Sequence, residues 1–443
     1  MKAAALCGRL AAIVLLGALA AGCAQTYESR EVTHKQTALE QPSAPMADSE
    51  HLAVRIRAFD PGTLPEDPEK AKGLSMDIRN AEAWYLPVRL KDTMQRSGYW
   101  GPVRVVPKNA REGEVTVTGR ILESDGELLR LEIGVGDSTG AHWFTREYRT
   151  VVDEGVYEAA AKTGTDAFQP MFNEIANDIA AHRKSLPPGR GATVRQVAEL
   201  RFAAEFAPEA FDGYLTKPGD GETNGDDGDS VAKLVAFFKG EGAGDAEGGY
   251  RIRRLPAADD PMVGRVNRIR SREEFLIDTL DQEYDGLARN IGDGYSKWRT
   301  SRLKEMNAVR KVEKARSEEQ AKAVAIGVLG ILAGAALGSS RNCYSCGTAG
   351  AAVAGAAVAI AVQKAMNASD QAESETKMHQ TALEEAALSL ASDVKPVVVE
   401  VEGKTVELKG SVDQKFEQWR GVLKELHERE VGTMAPAPQA RSD

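Results

Sequence analysis

Cysteine and histidine are scarce in this 443-residue chain, and their scarcity limits the chemistry that it can carry. There are four cysteines, and the six histidines stand apart at positions 34, 51, 142, 182, 379 and 427. A structural zinc site needs several such ligands close together. The HExxH, GxSxG and P-loop motifs are also missing from the sequence. We therefore expect no metal, no cofactor and no enzymatic activity.

Basic residues are fewer than acidic residues in this chain. The chain has 56 Lys and Arg against 66 Asp and Glu, which gives a net charge of −10. A nucleic-acid-binding protein usually shows a basic stripe or patch, so this balance predicts that nucleic acid is not a partner. The shares of hydrophobic residues (42%) and charged residues (28%) are those of an ordinary globular chain with a real core.

The N-terminus has the composition of a secretory signal. Lys2 and Arg9 form a short basic region, and the apolar run Leu10–Ala21 is too short to span a membrane. We assign residues 1–22 to a signal peptide, so that Cys23 becomes the first residue of the mature chain. Residues 23–51 are mostly polar and should form a flexible tether.

The end of this signal, Leu19-Ala20-Ala21-Gly22-Cys23, resembles the lipobox of bacterial lipoproteins, although Ala20 stands where leucine is usual. The resemblance implies lipidation of Cys23, with palmitate among the acyl chains. Ala24, in place of aspartate, resembles the outer-membrane sorting class. Together these features predict a lipid-anchored, periplasm-facing protein of the outer membrane, with membrane lipid as a partner. Ordinary cleavage beside an incidental cysteine is the alternative.

An Ala/Gly-rich stretch, residues 323–366, organises the second half of the chain. Small residues recur in it at four-residue spacing within each of two segments: Gly330, Gly334, Gly338, Gly347, Ala351, Gly355 and Ala359. Residues four apart lie on one face of a helix, and a face of small residues lets another helix approach closely. We predict a helical hairpin in which these residues make the packing contacts.

This hairpin resembles the glycine zipper of SlyB-type outer-membrane lipoproteins. The resemblance implies membrane insertion or an oligomer interface, and a hairpin buried in a soluble helical bundle is the alternative. Cys343 and Cys346 lie in its turn and are the cysteines left after Cys7 and Cys23 are accounted for. Zinc would need two more ligands nearby, and a thioredoxin-like site would follow a strand, so we predict a disulfide.

Residues 52–184 predict a compact α/β domain. A helix over Met76–Ser97 should kink or restart at Pro87, and a helix with Phe168, Phe172, Ile175 and Ile179 on one face should close the domain. Strands are expected at Leu52–Phe59, Pro102–Val106, Glu114–Leu122, Leu128–Val135 and His142–Val151. This order, with the run Val115-Thr116-Val117-Thr118-Gly119-Arg120-Ile121, resembles the N-terminal domain of TolB. The resemblance implies a binding and assembly module.

Residues 185–260 predict a connector with acidic, Gly-rich loops and a helix over Thr193–Phe206. Residues 261–322 should be helical, with Ser271 and Glu274 as a capping box and a break at Gly292 and Gly294. Between residues 297 and 322 there are nine Lys and Arg against four Glu. Such a run suits anionic lipid headgroups and a solvated helix face equally well.

Residues 367–430 predict a helix, a β-hairpin and a further helix, and residues 431–443 a disordered tail. The run Val401–Val412 resembles the core of a BON domain, a small envelope module. The predicted fold class is therefore α+β. A small N-terminal mixed sheet with packed helices is followed by long helices, an Ala/Gly-rich helical hairpin and a C-terminal β-hairpin plus helix.

Two functions follow from these patterns. The first is an outer-membrane lipoprotein that serves as a structural, assembly or accessory component of an envelope or export complex. It would oligomerise, as a homo-oligomer or within an envelope protein complex, or insert through the zipper hairpin. The alternative is an envelope enzyme or ligand-binding protein with a pocket in the 52–184 domain.

Overall fold

The computed structural model describes residues 30–33, 35–67, 71, 74–216, 249–257, 259–336, 348–392, 396–401 and 404–432. Its fold is α+β, as predicted, with a five-stranded sheet, long helices and a C-terminal hairpin followed by a helix. The chain divides into two compact units. We call residues 32–300 with 377–443 the sheet unit, and residues 1–31 with 301–376 the helical unit.

The sheet confirms the predicted succession of one strand, a helix and four strands. Its members are β1 (Val54–Arg57), β2 (Val103–Val106), β3 (Val115–Ser124), β4 (Leu128–Asp137) and β5 (His142–Val151). They lie in the order β2-β1-β3-β4-β5. Strand β1 is parallel to both neighbours, whereas β3, β4 and β5 form an antiparallel meander. Short turns can join antiparallel strands, but the parallel pair β1 and β2 requires the intervening helix.

Alternating side chains along the meander supply the core of the sheet. Leu129, Leu131, Ile133 and Val135 of β4 are all buried. The covering helices are α1 (Met76–Ser97), α2 (Glu154–Thr163) and α3 (Gln169–Ser185). The predicted apolar face of the last helix is confirmed, because Phe168, Phe172, Ile175 and Ile179 are buried.

Helix α1 runs through Pro87 as one continuous helix, so the expected restart at this residue is wrong. Ser75 caps its first turn by accepting a hydrogen bond from the Ile78 amide, at 3.2 Å. Proline inside a helix costs about 3 kcal/mol. Full burial of Leu86 and Leu90 on either side of it contributes about 1.5–3 kcal/mol each, which is enough to offset that cost.

The remaining elements are α4 (Arg190–Phe206), α5 (Pro208–Phe211), β6 (Leu215–Thr216), β7 (Arg251–Ile252), α6 (Pro261–Ala336), α7 (Thr348–Ser392), β8 (Val397–Val401), β9 (Lys404–Leu408) and α8 (Val412–Gly432). A second core contains residues of α4, α5, α6, α8 and the short strands between them. Phe202 of α4, Leu280 of α6, and Phe416 and Trp419 of α8 are buried together in this core. It joins segments that are far apart along the chain.

The predicted capping box at Ser271 and Glu274 is wrong. Helix α6 begins upstream, at Pro261. The Ser271 hydroxyl donates to the carbonyl of Asn267, and Glu274 accepts a hydrogen bond from Arg55 at 2.6 Å. The Glu274 carboxylate, which the local pattern assigned to a helix cap, therefore forms a long-range ion pair instead.

The predicted break at Gly292 and Gly294 is also wrong, because α6 continues through both. A β-carbon added at Gly292 would lie 3.6 Å from the ring of Tyr85. A β-carbon at Gly294 would lie 3.9 Å from the side chain of Leu383. Both distances are ordinary van der Waals contacts, so packing against these neighbours holds the helix intact in spite of the low helix propensity of glycine.

Acidic side chains of α6 cover the edge strand β2. They recur at helical spacing as Glu274, Asp278, Asp281 and Asp285. Asp281 accepts a hydrogen bond of 2.7 Å from the backbone amide of Val105, and Arg104 pairs with Asp278. Since a bare sheet edge is a site for unwanted strand pairing, this helix protects β2.

Part of the basic run between residues 297 and 322 faces protein. Arg299 and Arg302 are both buried. Arg299 binds Asp166 within the sheet unit, and Arg302 pairs with Glu305 at 3.0 Å within the helical unit. Attraction of these two side chains to lipid headgroups is therefore wrong. Among the described residues, no helix combines the length and the hydropathy that crossing a bilayer requires.

Candidate functional site

A cavity of about 310 Å³ opens in the sheet unit, between strands β1 and β2 and the helices α4 and α6. Its polar and aromatic lining comes from well-separated parts of the chain, chiefly Arg55, Arg104, Arg111, Glu112, Glu114, Arg201, Phe202, Glu205, Asp212, Tyr250, Arg270 and Glu274. Strands supply the first two, helices supply Arg201, Phe202, Glu205, Arg270 and Glu274, and loops supply the rest. We call this space the arginine–carboxylate cavity.

Donor and acceptor side chains are paired around the arginine–carboxylate cavity. Arg201 donates from Nη1 to Glu112 at 2.7 Å and also to the carbonyl of Ser138 at 2.6 Å. Arg111 pairs with Glu205. The lining holds five arginines and five acidic side chains, so it carries almost no net charge. It can both donate to and accept from a bound ligand.

Aromatic rings lie against the guanidinium groups of this lining. The Arg201 guanidinium lies 4.3 Å from the centre of the Tyr250 ring, and that of Arg111 lies 5.1 Å from the centre of Phe202. Arginine stacks on aromatic faces in this way because its charge is delocalised over a plane. These aromatic rings hold the arginines in place.

Glu273 is fully buried and lies next to Arg55, which lines the arginine–carboxylate cavity. The Arg55 Nη1 atom lies 3.7 Å from Glu273 Oε1. Within the part of the chain that the structure describes, neither carboxylate oxygen of Glu273 has a hydrogen-bond partner. Burial raises the pKa of Glu273, and the charges of Arg55 and Arg111 oppose this rise. The ionised carboxylate therefore bears a desolvation cost that its neighbours offset only in part.

We expect Glu273→Gln to raise the free energy of unfolding by about 1–2 kcal/mol at neutral pH, since it removes a buried charge. The pKa of Glu273 is raised in the folded chain above its usual 4.5. Protonation therefore stabilises the fold below that value, and this stabilisation is lost as the pH rises through the folded pKa. The advantage of the variant should shrink on acidification.

Urea unfolding of both proteins across a pH series measures this effect. The matched control is Glu274→Gln, which removes a carboxylate that does accept hydrogen bonds and should destabilise the chain. A Glu273→Gln variant that is less stable than the wild type at neutral pH would contradict the expectation.

None of the site residues predicted from sequence is among the described residues that line this cavity. Cys23, Cys343, Cys346, Gly338 and Gly347 lie outside the described residues. The backbone is helical at the other five zipper positions, in α6 at Gly330 and Gly334 and in α7 at Ala351, Gly355 and Ala359. The disulfide and the zipper contacts stay predictions.

The arginine–carboxylate cavity could not be predicted from the sequence, for a physical reason. Its charged residues look like ordinary solvated positions when they are met one at a time, because what distinguishes them is their pairing across the fold. One local signal was present. Strand β1 alternates buried Val54 and Ile56 with Arg55 and Arg57, and arginines on one face of an inner strand need acidic partners.

Comparisons with known proteins give partial matches. The chain is 30% identical over 126 residues to Nucleolar protein 9 of Pyrenophora tritici-repentis, covering 28% of this chain and 18% of that protein. It is 29% identical over 115 residues to Nucleolar protein 9 of Pyrenophora teres f. teres, covering 26% and 16% respectively. The chain thus spans less than a fifth of the length of these relatives. No protein-family profile matches the chain. No solved structure matches it either.

These matches contradict the interpretation as a bacterial outer-membrane lipoprotein with a SlyB-like zipper and a TolB-like domain. The relatives are named for the nucleolus, which is not a compartment of a bacterial envelope. The periplasm-facing outer-membrane location, the palmitate anchor, and the partnership with membrane lipid or an envelope complex are therefore wrong. A lipobox and a four-residue glycine spacing are short patterns that Ala/Gly-rich sequence also produces by chance.

The exclusion of nucleic acid as a partner is wrong as well, because the nucleolus is a compartment built around nucleic acid. The net charge was a poor guide here, since it averages over the whole chain and says nothing about one cavity. The prediction that the chain is not an enzyme agrees with the name of these relatives, which denotes no catalytic activity.

Proposed function

We propose that the chain is a non-enzymatic binding protein that takes one unstacked base of single-stranded RNA into the arginine–carboxylate cavity. The observation that supports this proposal most strongly is the lining itself, in which paired arginines and carboxylates alternate with aromatic rings. Sequence-selective RNA recognition commonly uses splayed-out bases that stack on aromatic or guanidinium planes and form hydrogen bonds along their edges.

The balanced charge of the cavity favours a base over a bare phosphate. The edges of nucleobases present hydrogen-bond donors beside acceptors, and arginine and carboxylate side chains recognise them in complementary fashion. Arg201 and Glu112 form such a complementary pair in the lining, and so do Arg55 and Glu274. A ligand with only negative charge could pair with the five arginines but would offer no hydrogen-bond donor to the five acidic side chains.

The stacking surfaces and the volume of the cavity also favour a nucleobase. The ring of Tyr250 and the planes of Arg201 and Arg111, which are all only partly buried, offer flat contacts. Stacking of a base on an aromatic side chain is worth about 1–3 kcal/mol. A volume of about 310 Å³ lies at the low end of the range for small-ligand pockets, which suits a single nucleotide unit.

The relatives add independent support. Both carry a name that places them in the nucleolus, a compartment rich in RNA. Because this chain spans less than a fifth of their length, the match supports a shared type of ligand and not a shared activity of the whole protein.

The test is fluorescence anisotropy with a labelled single-stranded RNA of mixed sequence. Arg201→Ala should weaken binding by about tenfold, because it removes one stacking plane and one donor. The same RNA in duplex form should bind more weakly, since its bases are already paired. Affinity should fall only gently with salt, because the site engages few phosphates.

The matched control is Arg130→Ala. Arg130 is partly exposed like Arg201 and pairs with two glutamates, at 2.7 Å and 3.1 Å, but it lies outside the cavity. It should bind RNA like the wild type. The proposal fails if single-stranded RNA does not bind, or if both variants bind with the same affinity while their unfolding midpoints are unchanged.

A further inference from the structure

Helix α3 holds an extended segment of its own chain by the backbone. Asn173 donates from Nδ2 to the carbonyl of Thr37 at 2.7 Å, and Asn177 donates from Nδ2 to the carbonyl of Ala38 at 2.8 Å. The amide of Glu40 in turn donates to Asn177 Oδ1 at 2.9 Å. We call residues 37–41 the strap. One asparagine side chain thus binds two backbone groups of the strap, which is how an extended peptide is recognised regardless of much of its sequence.

Two further contacts give this binding some side-chain selectivity. Lys184, in the last turn of α3, donates to Glu40 at 2.9 Å and lies over the ring of Tyr99, at 5.3 Å from its centre. Leu39 is half-buried on the same surface, whereas Ala38 and Glu40 on either side of it are exposed. The surface therefore selects an extended peptide that has an acidic residue directly after an apolar one.

The strap is bound weakly to the rest of the sheet unit. Its contacts are mainly polar, and it buries little apolar surface. Segments with few buried apolar contacts open at low free-energy cost, and exposed ion pairs add little to stability. Covalent attachment supports these weak contacts, because it gives a short tethered segment an effective concentration on the order of millimolar.

We infer that the surface formed by Asn173, Asn177 and Lys184 is a binding site for an extended peptide of a partner protein, and that the strap occupies it in cis. The partner segment would carry an apolar residue followed by Asp or Glu, in the places of Leu39 and Glu40. The strap then acts as a competitor that a partner must displace. This site lies on α3, and it is independent of RNA binding at the arginine–carboxylate cavity.

Charge-reversal variants of Glu40 and Lys184 distinguish binding of the strap from binding of an added peptide. The probes are two labelled peptides, the natural segment Gln36–Ser43 and the same segment with Glu40→Lys. The proteins are full-length wild type, Glu40→Lys and Lys184→Glu. In Glu40→Lys the strap is repelled by Lys184, so the natural peptide should bind at least about tenfold more tightly than it binds the wild type. In Lys184→Glu the preference should reverse toward the lysine peptide.

A further variant controls for non-specific attraction. Asn177→Ala combined with Glu40→Lys should lose most binding of the natural peptide, because two of the three backbone contacts disappear while the charge pattern stays. Glu40 and Lys184 are both exposed, so the unfolding midpoints of their variants should match that of the wild type. The inference is overturned if neither opened variant binds a peptide, or if each binds both peptides equally well.

Discussion

Replacing Arg299 with methionine should lower the free energy of unfolding of the sheet unit by about 3–5 kcal/mol. Arg299 is buried and donates two hydrogen bonds to the carboxylate of Asp166, at 3.2 Å and 2.8 Å. Its guanidinium also lies 4.4 Å from the centre of the Tyr295 ring. The variant would leave the charge of Asp166 buried without its cation, and an unpaired buried charge is among the most destabilising of single changes.

The loss should depend on pH in a defined direction. Burial alone would raise the pKa of Asp166, but the charge and hydrogen bonds of Arg299 hold it below its usual 3.8. The ionised pair therefore stabilises the wild type above that value, and this contribution is lost as the pH falls through the depressed pKa. The gap between wild type and Arg299→Met should be widest at neutral pH and should narrow in acid.

Urea unfolding followed by circular dichroism, from pH 7 downward, measures this effect. The double variant Asp166→Asn with Arg299→Met should recover much of the loss, because it removes the unpaired charge and keeps an acceptor for the Phe168 amide. Arg130→Met, which removes a partly exposed arginine, should cost no more than about 1 kcal/mol. A loss that is equally small for Arg299→Met would contradict the expectation.

Lys91→Met should cost a similar amount, about 3–5 kcal/mol, and should act on a different contact. Lys91 on α1 is buried and donates to both oxygens of Asp281 at 2.9 Å and 3.0 Å, and to Asp285 at 2.5 Å. Its removal leaves two carboxylates of α6 facing each other without a cation. Burial already raises the pKa of Asp281, although Val105 and Lys91 oppose that rise by hydrogen bonding.

Hydrogen exchange would locate the damage. In Lys91→Met the amide of Val105 should lose protection first, because Asp281 is its hydrogen-bond acceptor and edge strand β2 depends on α6 for cover. Lys297→Met is the control, since it breaks an exposed ion pair within α6 and should change stability by less than about 0.5 kcal/mol. Unchanged exchange at Val105 in Lys91→Met would show that β2 holds its edge without α6.

Local patterns were most informative where one element could be judged from its own residues. The alternation along β4 and the apolar face of α3 predicted their burial correctly, because strand and helix periods are properties of a short segment. The same kind of evidence failed at Ser271 and Glu274. There the local motif competed with an ion pair to Arg55, whose partner lies 219 residues away in the sequence.

The lipoprotein interpretation failed for a related reason. It rested on Cys23 and on the glycine spacing around Gly334, which are short motifs with little information content. The described residues do not include the cysteine, and at the zipper positions that they do include only the helical backbone is described. Motifs of this length predict a compartment only when independent evidence agrees, and here the matched relatives disagree.

The sequence alone determined the fold class, the succession of strands along the chain and the position of most helices. These features depend on hydrophobic periodicity within a segment. Tertiary structure decided the unbroken course of α6 through Gly292, the burial of Arg299, and the assembly of the arginine–carboxylate cavity. Each of these depends on partners distant in sequence. A charged residue looks the same in sequence whether it faces water or a buried counter-ion, and only the packed fold supplies the counter-ion.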